Sequence, residues 1–210
     1  MKILIFDTET TGLPIGRNPS IYDTQKWPHI LQLSYIVYDS ETNDIITVED
    51  DYIRIDDDVV IEPGSQKIHN ISKELLIERG IPIQDALYKF NTFTTQSDLL
   101  VGHNVSFDKR MVIVEGIRNK IKMNVDDTYC TMRNSVELCK IEREWPDGNK
   151  YFKYPTLSEL HEELFKITPK NTHNALIDIL ICMRCFVKIE LSKDICAINR
   201  TIRTMMREAV

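Results

Sequence analysis

The order in which strands and helices follow one another decides what this chain can fold into. Three runs rich in β-branched and aromatic residues fill its first quarter: KILIF at Lys2–Phe6, ILQLSYIVY at Ile30–Tyr38 and IITVEDDYIRI at Ile45–Ile55. Residue types that suit a pleated surface in this way predict strands. DSETND separates the second run from the third and reads as a turn, which predicts an antiparallel hairpin or meander. Gly12 to Pro28 carries Gly, Pro, Asn and Ser and reads as a loop.

Beyond the third strand the pattern changes to helices alternating with short apolar strands. Ser72 caps a helix that stops at Gly80, and another helix follows Pro82 over Ile83–Phe93. Asp98–Gly102 predicts a strand, Val105–Asn119 a helix, Val125–Tyr129 a strand and Thr131–Leu138 the start of a helix. Helices at Leu157–Phe165 and Asn174–Leu191 complete the series. A meander followed by this alternation predicts an α/β fold, with a central mixed five-stranded sheet flanked by helices. With 210 residues, no repeat and no linker, the chain reads as one domain over 1–191 and a short basic tail over 192–210.

Composition narrows the classes further. Hydrophobic residues make up 42% and charged residues 28%, the balance of an ordinary globular protein rather than a disordered one. No run is apolar for the roughly 18 residues that a membrane helix needs. MKILIFDTET holds five apolar residues before its first carboxylate, too few for the apolar core of a signal peptide. The expected location is therefore cytoplasmic or nuclear, with no membrane partner. Five scattered cysteines predict reduced thiols, and the Cys182/Cys185 pair lies in an apolar helical stretch with no second pair to complete a zinc site. A net charge of −6 opposes sequence-blind attraction to nucleic acid unless cations neutralise the acidic groups.

Three acidic elements stand where such groups would gather. Asp7 and Glu9 leave the end of the first strand two residues apart, so a strand continuing through them would point both to one face. Side by side they repel each other, and a divalent cation between them relieves the repulsion. DxE alone reads equally well as an acidic loop. Asp108 falls in the first turn of a helix that follows a strand, the sheet edge where ligands of α/β folds gather; alone it reads as a carboxylate favouring a helix N-terminus. Asp178 sits among Ala175, Leu176, Ile177 and Ile181, where a carboxylate is costly unless paired or metal-bound. His173 stands just outside that helix.

DTETTGLP at 7–14, HNVSFD at 103–108 and HNALID at 173–178, in that order, resemble the three motifs of the DnaQ-like (DEDDh) 3′-to-5′ exonuclease superfamily. EPGSQKIHNIS and VDDTYCTMR resemble its linking segments, so the likeness covers about residues 2 to 190. It implies an RNase H-like fold in which Asp7, Glu9, Asp108 and Asp178 bind two divalent cations, Mg²⁺ or Mn²⁺. His173 matches the histidine that accepts the proton of the attacking water. Thr10, Thr11, Gly12 and Leu13 match the residues that touch the terminal nucleotide, Leu13 wedging against the last base, and His69 and Asn104 are further candidates for sugar or phosphate contacts. Asn70 departs from the family's glycine, and Asn tolerates the left-handed backbone that such a turn needs.

The resemblance thus implies a metal-dependent enzyme that releases 5′-mononucleotides from a single-stranded or frayed 3′ end. DNA is the expected substrate, with the enzyme stand-alone or serving a polymerase as proofreader. An RNA 3′-end exonuclease is the alternative within the superfamily, and a non-catalytic nucleic-acid-binding module the alternative outside enzymes. EWPDGNKYFKYP interleaves basic and aromatic residues; it is read as a loop whose aromatics anchor it to the core, in preference to a stacking surface for a single strand. Arg200, Arg203 and Arg207 recur at helical spacing in the tail and read as a solvated face.

Overall fold

The computed structural model describes residues 1–209. Its main sheet has the strand order β3-β2-β1-β4-β5. β1 (Lys2–Thr10) and β2 (Ile30–Asp39) run antiparallel, as do β2 and β3 (Asp44–Tyr52). Two short helices, α1 (Pro63–His69) and α2 (Lys73–Arg79), lead to α3 (Ile83–Thr94). β4 (Leu99–Gly102) then lies parallel to β1, and after α4 (Val105–Asn119), β5 (Thr128–Cys130) lies parallel to β4. α5 (Thr131–Asn134) and α6 (Val136–Cys139) precede a separate hairpin of β6 (Glu142–Glu144) and β7 (Lys150–Phe152). α7 (Leu157–Phe165), α8 (Ala175–Leu191), α9 (Ile195–Ile198) and α10 (Arg200–Met205) complete the chain. The mixed five-stranded α/β sheet expected from the sequence is present. No helix is long and apolar enough to cross a membrane, among the described residues.

Strand periodicity assigns the two faces of the sheet. On β1, Ile3 and Ile5 join the core with Ile36, Tyr38 and α8, while Leu4 and Phe6 join the opposite core with Tyr35, Phe90 and α4. α8 is apolar on nearly every face and is covered on nearly every face, by the sheet, by α7 and by the segment beyond Leu191. Ile195, Ile202, Met206 and Ala209 of that last segment are buried in the same core, while Arg200, Arg203 and Arg207 face solvent.

Four local details differ from the sequence reading. β1 does not stop at Phe6: Asp7 pairs with Ser34 and Glu9 with Gln32, so ladder bonds carry the strand through its charged end. α1 was not signalled by apolar periodicity; Pro63 at its start and Asn70 in the left-handed region (φ 59°) at its end define it. The fifth strand begins at Thr128 rather than Val125. The aromatic loop is a β-hairpin, and its aromatics do not anchor it to the core: Trp145 is 53%, Phe152 40% and Tyr154 57% exposed.

Two arginines hold irregular segments in place. Arg118 on α4 donates to the carbonyls of Thr24, Trp27 and Pro28 at 2.6, 2.6 and 2.8 Å, and pairs with Glu115 at 2.7 Å. It thereby clamps the loop after β1. Arg184 on α8 makes two bonds to Asp194 (3.0 and 2.8 Å) and one to His161 Nε2 (3.2 Å), and lies 3.9 Å over the Phe165 ring. An arginine always donates, so His161 is the Nε2 acceptor and gives its Nδ1 proton to the Ile167 carbonyl at 2.8 Å. Burial lowers the pKa of His161, which keeps this arrangement neutral on the histidine. Arg184→Met should cost about 2–3 kcal/mol, because Asp194 and His161 lose their partner in a mostly buried setting. Urea denaturation checks this; an unchanged midpoint would show that the cluster is not a fastener.

Candidate active site

Alternation along β1 continues past its apolar half and sorts the polar residues. Asp7 and Glu9 share the face of Ile3 and Ile5, towards α8, and there they meet Asp178 in the first turn of that helix. One carboxylate oxygen from each of the three lies within 4.8 Å of the other two. Thr8 points the other way, towards α4, where its hydroxyl and N–H donate to Asp108 Oδ1 at 2.7 and 3.1 Å. Asp108 is buried and lies close enough to raise the pKa values of Asp7, Glu9 and Asp178. All four carboxylates thus meet at the C-terminal edge of the parallel strands β1, β4 and β5.

The electrostatics of the cluster are unbalanced. Burial pushes the Glu9 carboxyl up to about 8, with Asp178 and Asp108 adding to the effect. Asp7 is raised well above the usual range by burial, then by Asp108, Asp178 and Glu9. Burial also raises Asp108 and Asp178, opposed by the Thr8 donors in the first case and by the His173 N–H in the second. Among the described residues no lysine or arginine pairs with any of the four. Asp178 Oδ1 is buried without a hydrogen-bond partner, while Oδ2 accepts from the His173 N–H at 3.0 Å. An orphaned carboxylate oxygen beside three further carboxylates fits a hard divalent cation, the charge this site lacks.

The other sequence candidates divide between the cleft and its supports. His173 is exposed at the cleft rim with a left-handed backbone (φ 66°), two residues ahead of α8. His69, at the end of α1, accepts from the Ile71 N–H through Nδ1 at 3.0 Å, which places its proton on Nε2. That Nε2 is buried and makes no bond of proper geometry, although the Thr10 carbonyl lies near enough to favour the protonated ring. Burial lowers the pKa of His69, and the neighbouring His173 lowers it further. Thr10 and Thr11 are buried with their hydroxyls engaged: Thr10 donates to the Gly12 carbonyl at 2.8 Å and Thr11 accepts from the His29 N–H at 2.9 Å. They shape the turn. Leu13 at its tip is 71% exposed and, with Asn104, Trp27, Phe107 and Arg110, lines a cavity of about 380 Å³. Gly12 lets the Glu62 carboxylate lie against the turn, since a Cβ there would stand 2.5 Å from Glu62 Cδ and push that exposed side chain aside.

Sequence reasoning missed the residues that hold these groups. Gln32, buried on β2 opposite Glu9, donates to Asp50 at 2.7 Å and accepts from the Ala175 N–H at 3.2 Å. Ser34, opposite Asp7, donates to the same Asp50 oxygen at 2.7 Å. Gln32 therefore ties the start of α8, and with it Asp178, to the strand beside Asp7 and Glu9. A buried glutamine inside an apolar strand was the one available signal.

Four carboxylates gathered at the strand ends of a five-stranded mixed sheet flanked by helices define an RNase H-like fold. The exonuclease family model of RNase T type matches residues 4–186, so the chain belongs to that family, within the DnaQ-like 3′-to-5′ exonuclease superfamily. Solved structures agree in fold. Exonuclease I of E. coli in complex with a dT13 oligonucleotide superposes with a TM-score of 0.66 at 20% identity, over 91% of this chain and 42% of that one. Its zinc-bound form with single-stranded DNA gives 0.67 and 21% over 98% and 44%, and its dA16 complex 0.63 and 18% over 98% and 45%. The chain thus spans less than half the length of the exonuclease I chains it matches. No curated protein matches the sequence significantly.

Two outcomes follow from the geometry. A carboxyl whose folded pKa is raised contributes stability that is complete below its unfolded value of about 4.5 and is lost as pH rises through about 8 for Glu9. Metal-free protein should therefore lose Tm between pH 5.5 and 8.5, and Glu9→Gln should shrink that loss. Added Mg²⁺ should raise Tm more at pH 8.5 than at pH 5.5; equal shifts at both would contradict a carboxylate-held cation. Gln32→Met should weaken the affinity for divalent cation roughly ten-fold by titration calorimetry, because α8 loses its tether. An unchanged affinity would make Gln32 a packing residue only.

Proposed function

We propose that this chain is a metal-dependent 3′-to-5′ exonuclease that hydrolyses single-stranded DNA, one 5′-mononucleotide at a time. The observation that carries the reading is the convergence of Asp7, Glu9 and Asp178 within 4.8 Å, beside a buried Asp108 and, among the described residues, with no cationic side chain paired to them. Carboxylate oxygens suit Mg²⁺ or Mn²⁺, and Asp7, Glu9, Asp108 and Asp178 would hold two such ions. When bound, divalent cations activate a water and stabilise the charge that develops on the phosphate and the departing 3′ oxygen. Thr8 keeps one oxygen of Asp108 occupied and so fixes the direction of the other. His173, exposed beside Asp178, takes the proton of the attacking water.

Leu13 is the apolar group exposed at the cleft wall, suited to wedge against the terminal base, while Asn104 and Phe107 border the same cavity. His69, whose Nε2 is buried next to the Thr10 carbonyl, supports the β1 turn from behind and is the candidate for a sugar or phosphate contact if that turn opens. Complexes of E. coli exonuclease I with dT13 and dA16 favour single-stranded DNA over RNA as the substrate. Five unpaired cysteines fit a reducing setting, cytoplasmic or nuclear.

Asp7→Ala and Asp178→Ala should each lose at least about a hundred-fold in turnover of a labelled single strand. His173→Ala should lose less, because metal-held water keeps part of its reactivity without a side-chain base. Near-normal turnover in either aspartate variant would refute the site. Labelled single-stranded DNA, 3′-mismatched duplex and RNA, each with Mg²⁺, Mn²⁺ or EDTA, test substrate and metal together; faster loss of the RNA would move the assignment to RNA 3′ ends.

A further inference from the structure

The β6–β7 hairpin stands off the sheet and is almost wholly exposed, yet its side chains are sorted by face. Residues paired across an antiparallel ladder share a face, and Arg143 pairs with Tyr151 while Trp145 and Asn149 form the next rung. Ile141 and Lys153 form the rung at the base. One face therefore carries Arg143, Trp145, Tyr151 and Lys153, with no carboxylate from either strand. Glu142, Glu144, Lys150 and Phe152 occupy the other, where Lys150 pairs with Glu142 at 2.7 Å. On the first face the Trp145 and Tyr151 rings stack diagonally, centroids 4.4 Å apart and planes 24° from parallel. Tyr151 covers one side of the indole, and over half of Trp145 still meets solvent. Arg143 beside it is exposed and makes no ion pair among the described residues.

The arm is held rigidly and from the side of the site. His103 Nε2 contacts the Pro155 carbonyl at 3.1 Å, and Nδ1 contacts Thr131 Oγ1 at 3.0 Å. Burial lowers the His103 pKa to about 4, so this anchor stays neutral at physiological pH. Lys153 donates to both Glu159 oxygens (2.6 and 2.7 Å), and Glu159 also accepts from the Thr156 N–H in the capping box that opens α7. His103 immediately precedes Asn104, which lines the cavity beside Leu13. From Pro155 back to Tyr151 is four residues, a reach of at most about 14 Å. On the nuclease reading, with the strand end at that cavity, the aromatic–cationic face lies within a few nucleotides of it.

We propose that this face of the hairpin is a stacking platform for single-stranded DNA upstream of the scissile bond, with a base on the open side of Trp145 and a phosphate on Arg143. The inference rests on the nuclease reading for its direction, not for its chemistry. Exposed aromatic faces bind bases of any sequence, and an unpaired guanidinium supplies the attraction that a chain of net charge −6 otherwise lacks. The cross-strand stack also stabilises a two-stranded hairpin that would be marginal alone. A purely structural role would leave binding of DNA indifferent to its length.

Fluorescence anisotropy with 5′-labelled dT12 and dT3 in Ca²⁺ separates the two roles. Trp145→Ala should weaken dT12 binding roughly ten-fold and leave dT3 within two-fold, while Trp145→Phe retains most of the affinity. Arg143→Ala should lower the slope of log affinity against log salt by about one for dT12 only. Unchanged dT12 affinity in both alanine variants, or equal loss on dT12 and dT3, overturns the proposal. Turnover of a small chromogenic ester of thymidine monophosphate, read in parallel, tests the nuclease reading by itself. Absence of that turnover in the parent would refute the active site while the binding series still decides the hairpin.

Discussion

Everything at the site depends on β1 remaining a strand for four residues after its apolar half ends. Ladder bonds to Ser34 and Gln32 hold Asp7 and Glu9 in the pleat, so they inherit the α8 face from Ile3 and Ile5. Thr8 inherits the α4 face from Leu4 and Phe6 and there receives Asp108. A one-residue slip would exchange these faces, sending Thr8 towards Asp178 and both carboxylates towards α4. Register in this strand is therefore a catalytic parameter. Its specification comes from the two apolar cores, in which any slip would also misplace four buried side chains.

The same geometry concentrates negative charge where water is scarce. Four raised carboxyls, with no cationic partner among the described residues, weaken the metal-free fold at neutral pH, and extensive burial elsewhere offsets this. α8 illustrates the compensation: Asp178 lies in its first turn, yet most of its remaining length is buried against the sheet, α7 and the C-terminal segment. Arg184 and Asp194 fasten that segment from the same helix. The helix that carries Asp178 is thus the one with the most buried side chains among the described helices.

The fold class was legible because apolar runs and punctuation agree. Pro82, Ser72 and Gly80 stand at real boundaries, and Leu157–Phe165 and Val105–Asn119 coincide with observed helices. The carboxylates were legible because charge in apolar company, as at Asp178, has few structural explanations. What stayed hidden depends on partners distant in sequence. Nothing near Gln32 announces that its amide meets Asp50 on one side and Ala175 on the other, 143 positions away. The end of β1 was misjudged because a carboxylate reads as a strand boundary until the neighbouring strand is known to continue. The hairpin was misjudged for a different reason: Trp, Tyr and Phe favour burial by composition, and only the ladder shows that these have no core to enter.

Chemistry and recognition are therefore built differently in this molecule. The carboxylates ride on regular elements, whose positions are set by two packed cores and vary little. Leu13 and Trp27, on the loop that Arg118 clamps, and the β6–β7 hairpin that His103 and Glu159 brace, belong to irregular or peripheral segments held by a few polar bonds each. Such segments can change length and composition without disturbing the cleft, because their fasteners are single residues on α4 and α7 or beside β4. On the proposed function, this arrangement would let the grip on a strand change while the carboxylate cluster is kept, with the exposed, face-sorted hairpin as the place where this chain's own preference would be written.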